Sequence, residues 1–187
     1  MTGPHVGPVP EAPMRTGAAG GQIPDGPGWY VLNVADAEWS TDGRTGFCDF
    51  EGASPFEQYG TNIHVLEPGE PNGSYHREFH EDESFFVLSG TCVVIIEGEE
   101  RALRAGDYVR CPAGTAHIFV GTGTGRCAIF MFGGRNKVPP GGEWGVYLAE
   151  PAAVAHGAAV HEDTSDPQIA YATRGEFIPC TSWWTPS

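Results

Sequence analysis

The chain has 187 residues, 40% of them hydrophobic, and carries a formal net charge of −14. That length suits one domain with a well-buried core. So acidic a surface repels phosphate backbones and anionic lipid, which excludes nucleic acid and membrane surfaces as partners. No apolar run approaches the roughly 20 residues a membrane helix needs. The N-terminus, MTGPHVGPVPEAPMRTGAAGG, lacks a charged start followed by an apolar stretch. No secretory leader is therefore expected, and the compartment is read as the cytoplasm. With 27 Gly and 16 Pro the chain must turn often, which argues against a helical protein.

The five cysteines, Cys48, Cys92, Cys111, Cys127 and Cys180, are odd in number and form no C-x-x-C pair. They read as small buried side chains in a reducing compartment, with Cys111 of interest because it precedes His117 by six residues.

Residues 1–27 are rich in Gly, Pro and Ala and nearly free of large apolar side chains. They cannot bury enough surface to offset their chain entropy and are expected to be a disordered tail, with His5 solvated. Residues 28–187 are expected to form one domain, beginning with a β-rich run at 29–34 and a short helical turn at 35–40. Strands are expected at 45–50 and 59–66, then a turn through Glu67-Pro68-Gly69-Glu70-Pro71-Asn72-Gly73. Further strands fall at 74–80, 83–88, 91–97, 101–104, 108–111, 116–120 and 126–132, with Gly121 to Gly125 as a hairpin loop. Short strands with a turn every 6 to 12 residues predict an all-β antiparallel barrel or sandwich. In the C-terminal extension, 133–187, short helices are expected at 150–159 and 166–173, the second opening on Pro167. Trp183 and Trp184 are expected to latch onto the barrel or a dimer partner.

The chemistry concentrates between Tyr75 and Val120. Residues i and i+2 of a strand share a face about 6.5–7 Å apart, so His76 and Glu78 present an imidazole and a carboxylate side by side. Both are within reach of one cation with bonds of about 2.0–2.2 Å. A bend at Glu81-Asp82 lets Glu83 turn inward from the next strand, with Phe85 and Val87 on its face as an apolar floor. His117 follows a Pro-x-Gly turn at the mouth of a strand, with Phe119 next on its face. His80 shares the His76 face but lies roughly 13 Å along a regular strand, and reads as a rim or acid/base residue unless the strand bends early. His64 faces either the cavity or the surface, and His156 and His161 read as surface residues.

At these residues the sequence resembles the cupin superfamily. His76-x-Glu78, four residues, Glu83, six residues and Gly90 follow the first family motif, with Gly69 and Gly73 just upstream. Gly106, five residues, Pro112-x-Gly114, two residues and His117 match the second, and Gly121 stands where Asn is usual. The motif core spans 69–132. The resemblance implies a small jelly-roll β-barrel, one divalent metal and a homodimer. Family members usually hold the ion with three His and one Glu; here Glu78 occupies the second histidine slot. The implied ligands are His76, Glu78, Glu83 and His117. Two imidazoles and two carboxylates suit manganese, iron(II) or zinc better than copper(I).

One fold hosts many chemistries, and two functions stay open. One is a metal-dependent enzyme of dioxygenase or isomerase type on a small organic molecule, with Glu78 or His80 as the catalytic proton carrier. The other is a non-catalytic barrel that binds a sugar or aromatic acid. A storage protein would carry two barrels, and a transcription factor would need a helix-turn-helix.

Overall fold

The computed structural model describes residues 7–184, and His5 lies outside them. In chain order the strands are β1 (Met14–Thr16), β2 (Gln22–Pro24), β3 (Trp39–Thr41), β4 (Thr45–Asp49), β5 (Tyr59–Leu66), β6 (His76–Glu78) and β7 (Glu83–Ser89). They continue as β8 (Thr91–Ile96), β9 (Glu99–Arg104), β10 (Tyr108–Cys111), β11 (His117–Thr122), β12 (Cys127–Gly134) and β13 (Gly145–Tyr147). Two short helices, α1 (Pro151–Ala155) and α2 (Pro167–Ala170), precede β14 (Ile178–Cys180).

Two antiparallel sheets face each other. One has seven strands in the order β10-β7-β12-β5-β4-β3-β14, the other five in the order β13-β6-β11-β8-β9. Between them lie Leu66, Phe85, Val87, Val94, Phe119, Ile129 and Met131. This is the all-β barrel expected from the sequence, and Phe85, Val87 and Phe119 form its apolar floor.

Alternation explains the strand compositions. Phe119 of β11 and Cys92 and Val94 of β8 point inward. Ile118, Val120, Val93 and Ile95 point outward into a second core with Tyr75, Ala153 and Ala158. Buried on both faces, β8 reads as an unbroken apolar run. A third core covers the outside of the seven-stranded sheet, where Trp39, Cys48, Ile63, Val65 and Ala128 meet Trp183 and Trp184. The two tryptophans thus latch onto the barrel, and Arg126 stacks 4.1 Å above the Trp183 ring.

Part of the stretch expected to be a disordered tail is ordered. β1 and β2 form a hairpin, anchored because the Glu38 carboxylate accepts hydrogen bonds from Ala19 N (2.9 Å) and Gly21 N (2.8 Å). A Cβ on Gly21 would lie 2.4 Å from the Glu38 backbone, so the glycine serves close packing. The run at 29–34 is not a strand: Trp29 makes one isolated bridge, to Glu11, while Leu32 and Val34 pack on the third core. The residues expected as a helical turn end instead in β3, whose Trp39 is 1% exposed. Both helices begin on a side-chain cap followed by proline, Glu150–Pro151 and Asp166–Pro167. None is long and apolar enough to cross a membrane among the described residues.

Gly90 turns β7 into β8 at φ +75°, and a Cβ there would meet Arg126 O at 2.2 Å. Gly106 has φ +94° with nothing within 4 Å of an added Cβ. A left-handed backbone alone costs a β-carbon about 1–2 kcal/mol. Gly106→Ala is therefore expected to lower Tm by about 2–8 °C, and Gly90→Ala by clearly more. Equal losses in paired thermal melts would contradict this account.

Candidate metal centre

His76 and His117 come from neighbouring strands of the five-stranded sheet. They are direct partners in the antiparallel ladder of β6 and β11, so their side chains leave the same face, with ring centroids 5.1 Å apart. Glu83 comes from the opposite sheet, at the first residue of β7. The ligating atoms of these three side chains all lie within 4.8 Å of one another. Glu83 Oε2 is 3.0 Å from His117 Nε2.

Both imidazoles are held the same way. His76 Nδ1 is 2.8 Å from Ser74 O and His117 Nδ1 is 3.1 Å from Thr115 O, each a carbonyl two residues upstream. A carbonyl only accepts, so each Nδ1 carries the hydrogen and each Nε2 is left for the centre. Bonds of this kind fix the ring of a metal-ligating histidine. The set fits a divalent cation: two oriented imidazoles, a carboxylate, and an apolar wall in which Phe85 lies 5.1 Å from the His117 ring.

The electrostatics follow from burial and crowding. Burial alone would lower the pKa of His117, but hydrogen bonds to Cys111 and Glu83 outweigh it and raise the net value. The His76 pKa is lowered, by burial first and then by repulsion from His117. Glu78 is raised to about 8, by burial first and then by the Glu83 and Glu81 carboxylates.

Glu78 is outside the converging trio. It shares a hydrogen bond with Glu81, and its Oε2 is buried with no hydrogen-bond partner. His80 is outside the trio as well. β6 ends at Glu78 and the chain bends through Phe79 and His80, where His80 O accepts a hydrogen bond from Asn136. His64 lies on β5 beside Phe47, with ring centroids 5.1 Å apart, and its Nδ1 is buried without a partner. His156 reaches Glu100 Oε1 at 3.0 Å on the surface.

Two neighbours of the centre were not legible in the sequence. Tyr147 and Trp144 of the C-terminal extension place their rings 5.9 and 6.2 Å from that of His76. They arrive through β13, which pairs with β6 over three residues. A strand that short carries no period-two pattern.

A cupin-domain family model matches residues 62–133. No curated protein sequence matches the chain. Among solved structures, a sugar phosphate isomerase of the cupin superfamily from Silicibacter pomeroyi aligns at 26% identity and TM-score 0.46. That alignment covers 49% of this chain and 60% of the other, so the chain spans less than two thirds of that relative's length. KdgF from a Halomonas species aligns at 22% identity and TM-score 0.44, covering 52% of this chain and 88% of that one. The polyketide cyclase RemF from Streptomyces resistomycificus aligns at 17% identity and TM-score 0.44, over 52% and 69% of the respective chains. Residues 62–133, which supply the heart of both facing sheets, thus match a cupin domain.

Proposed function

We propose that the protein is a metal-dependent enzyme acting on a small organic molecule, with His76, Glu83 and His117 as the metal ligands and Glu78 beside them as proton carrier. The observation that carries this reading is a pair of imidazoles with both Nδ1 atoms tied to backbone carbonyls and a carboxylate 3.0 Å from one Nε2. When bound, a manganese, iron(II) or zinc ion would polarise a substrate oxygen or, as iron, activate dioxygen.

The chain's own groups divide the remaining work. His76 and His117 hold fixed orientations through Ser74 O and Thr115 O. Phe85 and Phe119, with ring centroids 4.6 Å apart, keep water from the inner side. Burial and the Glu83 and Glu81 carboxylates raise the Glu78 pKa, and its Oε2 is buried without a partner, which suits a general acid or base. This favours isomerase-type proton transfer over dioxygenation. The second reading, a non-catalytic barrel for a sugar or aromatic acid, draws on the same Glu78, which stands where a further imidazole would bind metal more firmly.

The aromatic side chains Tyr59, Phe86, Tyr108 and Phe132 are each at least 40% exposed. All four lie on the seven-stranded sheet, where Tyr108 pairs with Phe86 and Tyr59 stacks on Phe132 at 5.2 Å. Such a patch supports the homodimer reading. Five free cysteines, four of them buried, support a reducing, cytoplasmic setting.

Elemental analysis of purified, tag-free protein is expected to find about one manganese, iron or zinc per chain. Glu83→Ala and His117→Ala should each abolish it and His80→Ala should keep it; metal retained in both of the first two variants would remove the trio from consideration. Glu78→Gln should retain the metal. In D2O, the wild type should move solvent deuterium onto carbon of a substrate in a hydroxy-aldehyde and hydroxy-ketone panel, and Glu78→Gln should not. Metal loss in Glu78→Gln would make Glu78 a ligand instead, and oxygen uptake by the iron form would select dioxygenation. Light scattering should give twice the 19.9 kDa chain mass, falling to one chain in Phe86→Glu/Phe132→Glu; a monomeric wild type would refute the dimer.

A further inference from the structure

A second concave site lies against the inward face of the seven-stranded sheet. It is a cleft of about 350 Å³ whose lining includes Phe47, His64, Tyr171, Arg174 and Phe177. That volume is at the lower end of the range for small-molecule pockets, about 300–1,000 Å³. Phe47 meets His64 edge-on at 5.1 Å and Phe177 edge-on at 6.3 Å. Tyr171 of the lining meets Tyr147 at 5.5 Å, and Tyr147 in turn meets His76, so the Tyr147 ring links the cleft wall to the metal trio.

Arg174 makes the cleft rigid. Its Nε is 3.1 Å from Asp42 Oδ2, and its two terminal nitrogens donate to Asn72 O and Thr45 Oγ1 at 3.0 Å each. The Asp42 side chain is 2% exposed and that of Arg174 17%, so the pair is largely withdrawn from water. The guanidinium lies 4.9 Å from the Phe177 ring centroid and 5.8 Å from that of Tyr171. A fixed cation and three aromatic rings thus share one cleft lining with an imidazole, which Phe47 touches directly.

His64 is what the fold leaves unexplained. Its Nδ1 is buried and meets no hydrogen-bond partner. Burial first, and then the Arg174 charge outweighing that of Asp42, keep the ring neutral by lowering its pKa to about 3. A neutral imidazole carries one hydrogen. Orphaned buried N–H groups are rarer than orphaned acceptors, so the hydrogen belongs on Nε2, with the Nδ1 lone pair buried. Nε2–H is then a donor on the cleft wall, in a field made positive by Arg174.

We propose that this cleft is a binding site for an aryl carboxylate, with the ring against Phe47 and Phe177 and the carboxylate accepting from His64 Nε2–H. The aromatic walls select the ring, and the donor and the cation select the anionic acceptor. The site is separate from the metal centre and does not need the metal.

The test uses the full chain, 15N-labelled at histidine, both EDTA-treated and metal-loaded, with 2-naphthoate as probe. Long-range 1H–15N spectra should show His64 as the Nε2–H tautomer and a saturable shift of that nitrogen in both forms. His64→Phe, which keeps the ring but removes the donor, should weaken 2-naphthoate by about tenfold or more. Cyclohexanecarboxylate and 2-methylnaphthalene should each bind at least about tenfold more weakly than 2-naphthoate. An Nδ1–H tautomer would overturn the proposal, and so would no His64 shift or unchanged binding in a folded His64→Phe. Shifts confined to His76 and His117 of the metal-loaded form would place the probe at the metal instead, which also overturns it.

Discussion

One pairing governs the site: His117 lies opposite His76 in the antiparallel ladder of β11 and β6. Side chains alternate with a period of two, so a one-residue slip would turn His117 into the outer core and bring Ile118 inside. The outer core forbids the slip, because Ile118 and Val120 are buried there against Tyr75 and Val93. Apolar packing on one face of a strand thereby sets the orientation of an imidazole on the other.

The third member of the trio depends on the facing of the two sheets. Glu83 reaches His117 from across the barrel, and the separation is held by Phe85, Phe119, Ile129 and Met131 just beneath. Sheets packed face to face lie about 10 Å apart, which leaves room for side chains from both sides to meet at one point. The two backbone carbonyls that take the Nδ1 hydrogens complete the arrangement, so the rings are aimed before any cation arrives.

The residues after Gly133 are more than a tail to the barrel. They bring Tyr147 and Trp144 to His76, Tyr171, Arg174 and Phe177 to the inward face beside His64, and Trp183 to the outer core. Arg174 ties this extension to β4, to the β3–β4 turn and to the loop at Asn72. A polar clamp withdrawn from water holds position well, because losing one partner would strand the other's charge.

The sequence by itself determined the β class and most strand positions, and it put forward His76, Glu78, Glu83 and His117 as candidate ligands. Those properties are written locally, in alternation, in turn residues such as Gly90 and Gly106, and in the spacing from His76 to Glu83 and from Gly114 to His117. It also placed Glu78 two residues from His76 on one strand, and both lie on β6. Only the tertiary structure decided which side chains converge: it joined Glu83 to the two histidines across the barrel and left Glu78 with Glu81 and His80 past the end of β6. It likewise ordered the glycine-rich hairpin against Glu38, and gathered Phe47, His64 and Arg174 from separate parts of the chain. Convergence depends on distances between elements far apart in sequence, and no local pattern encodes those distances.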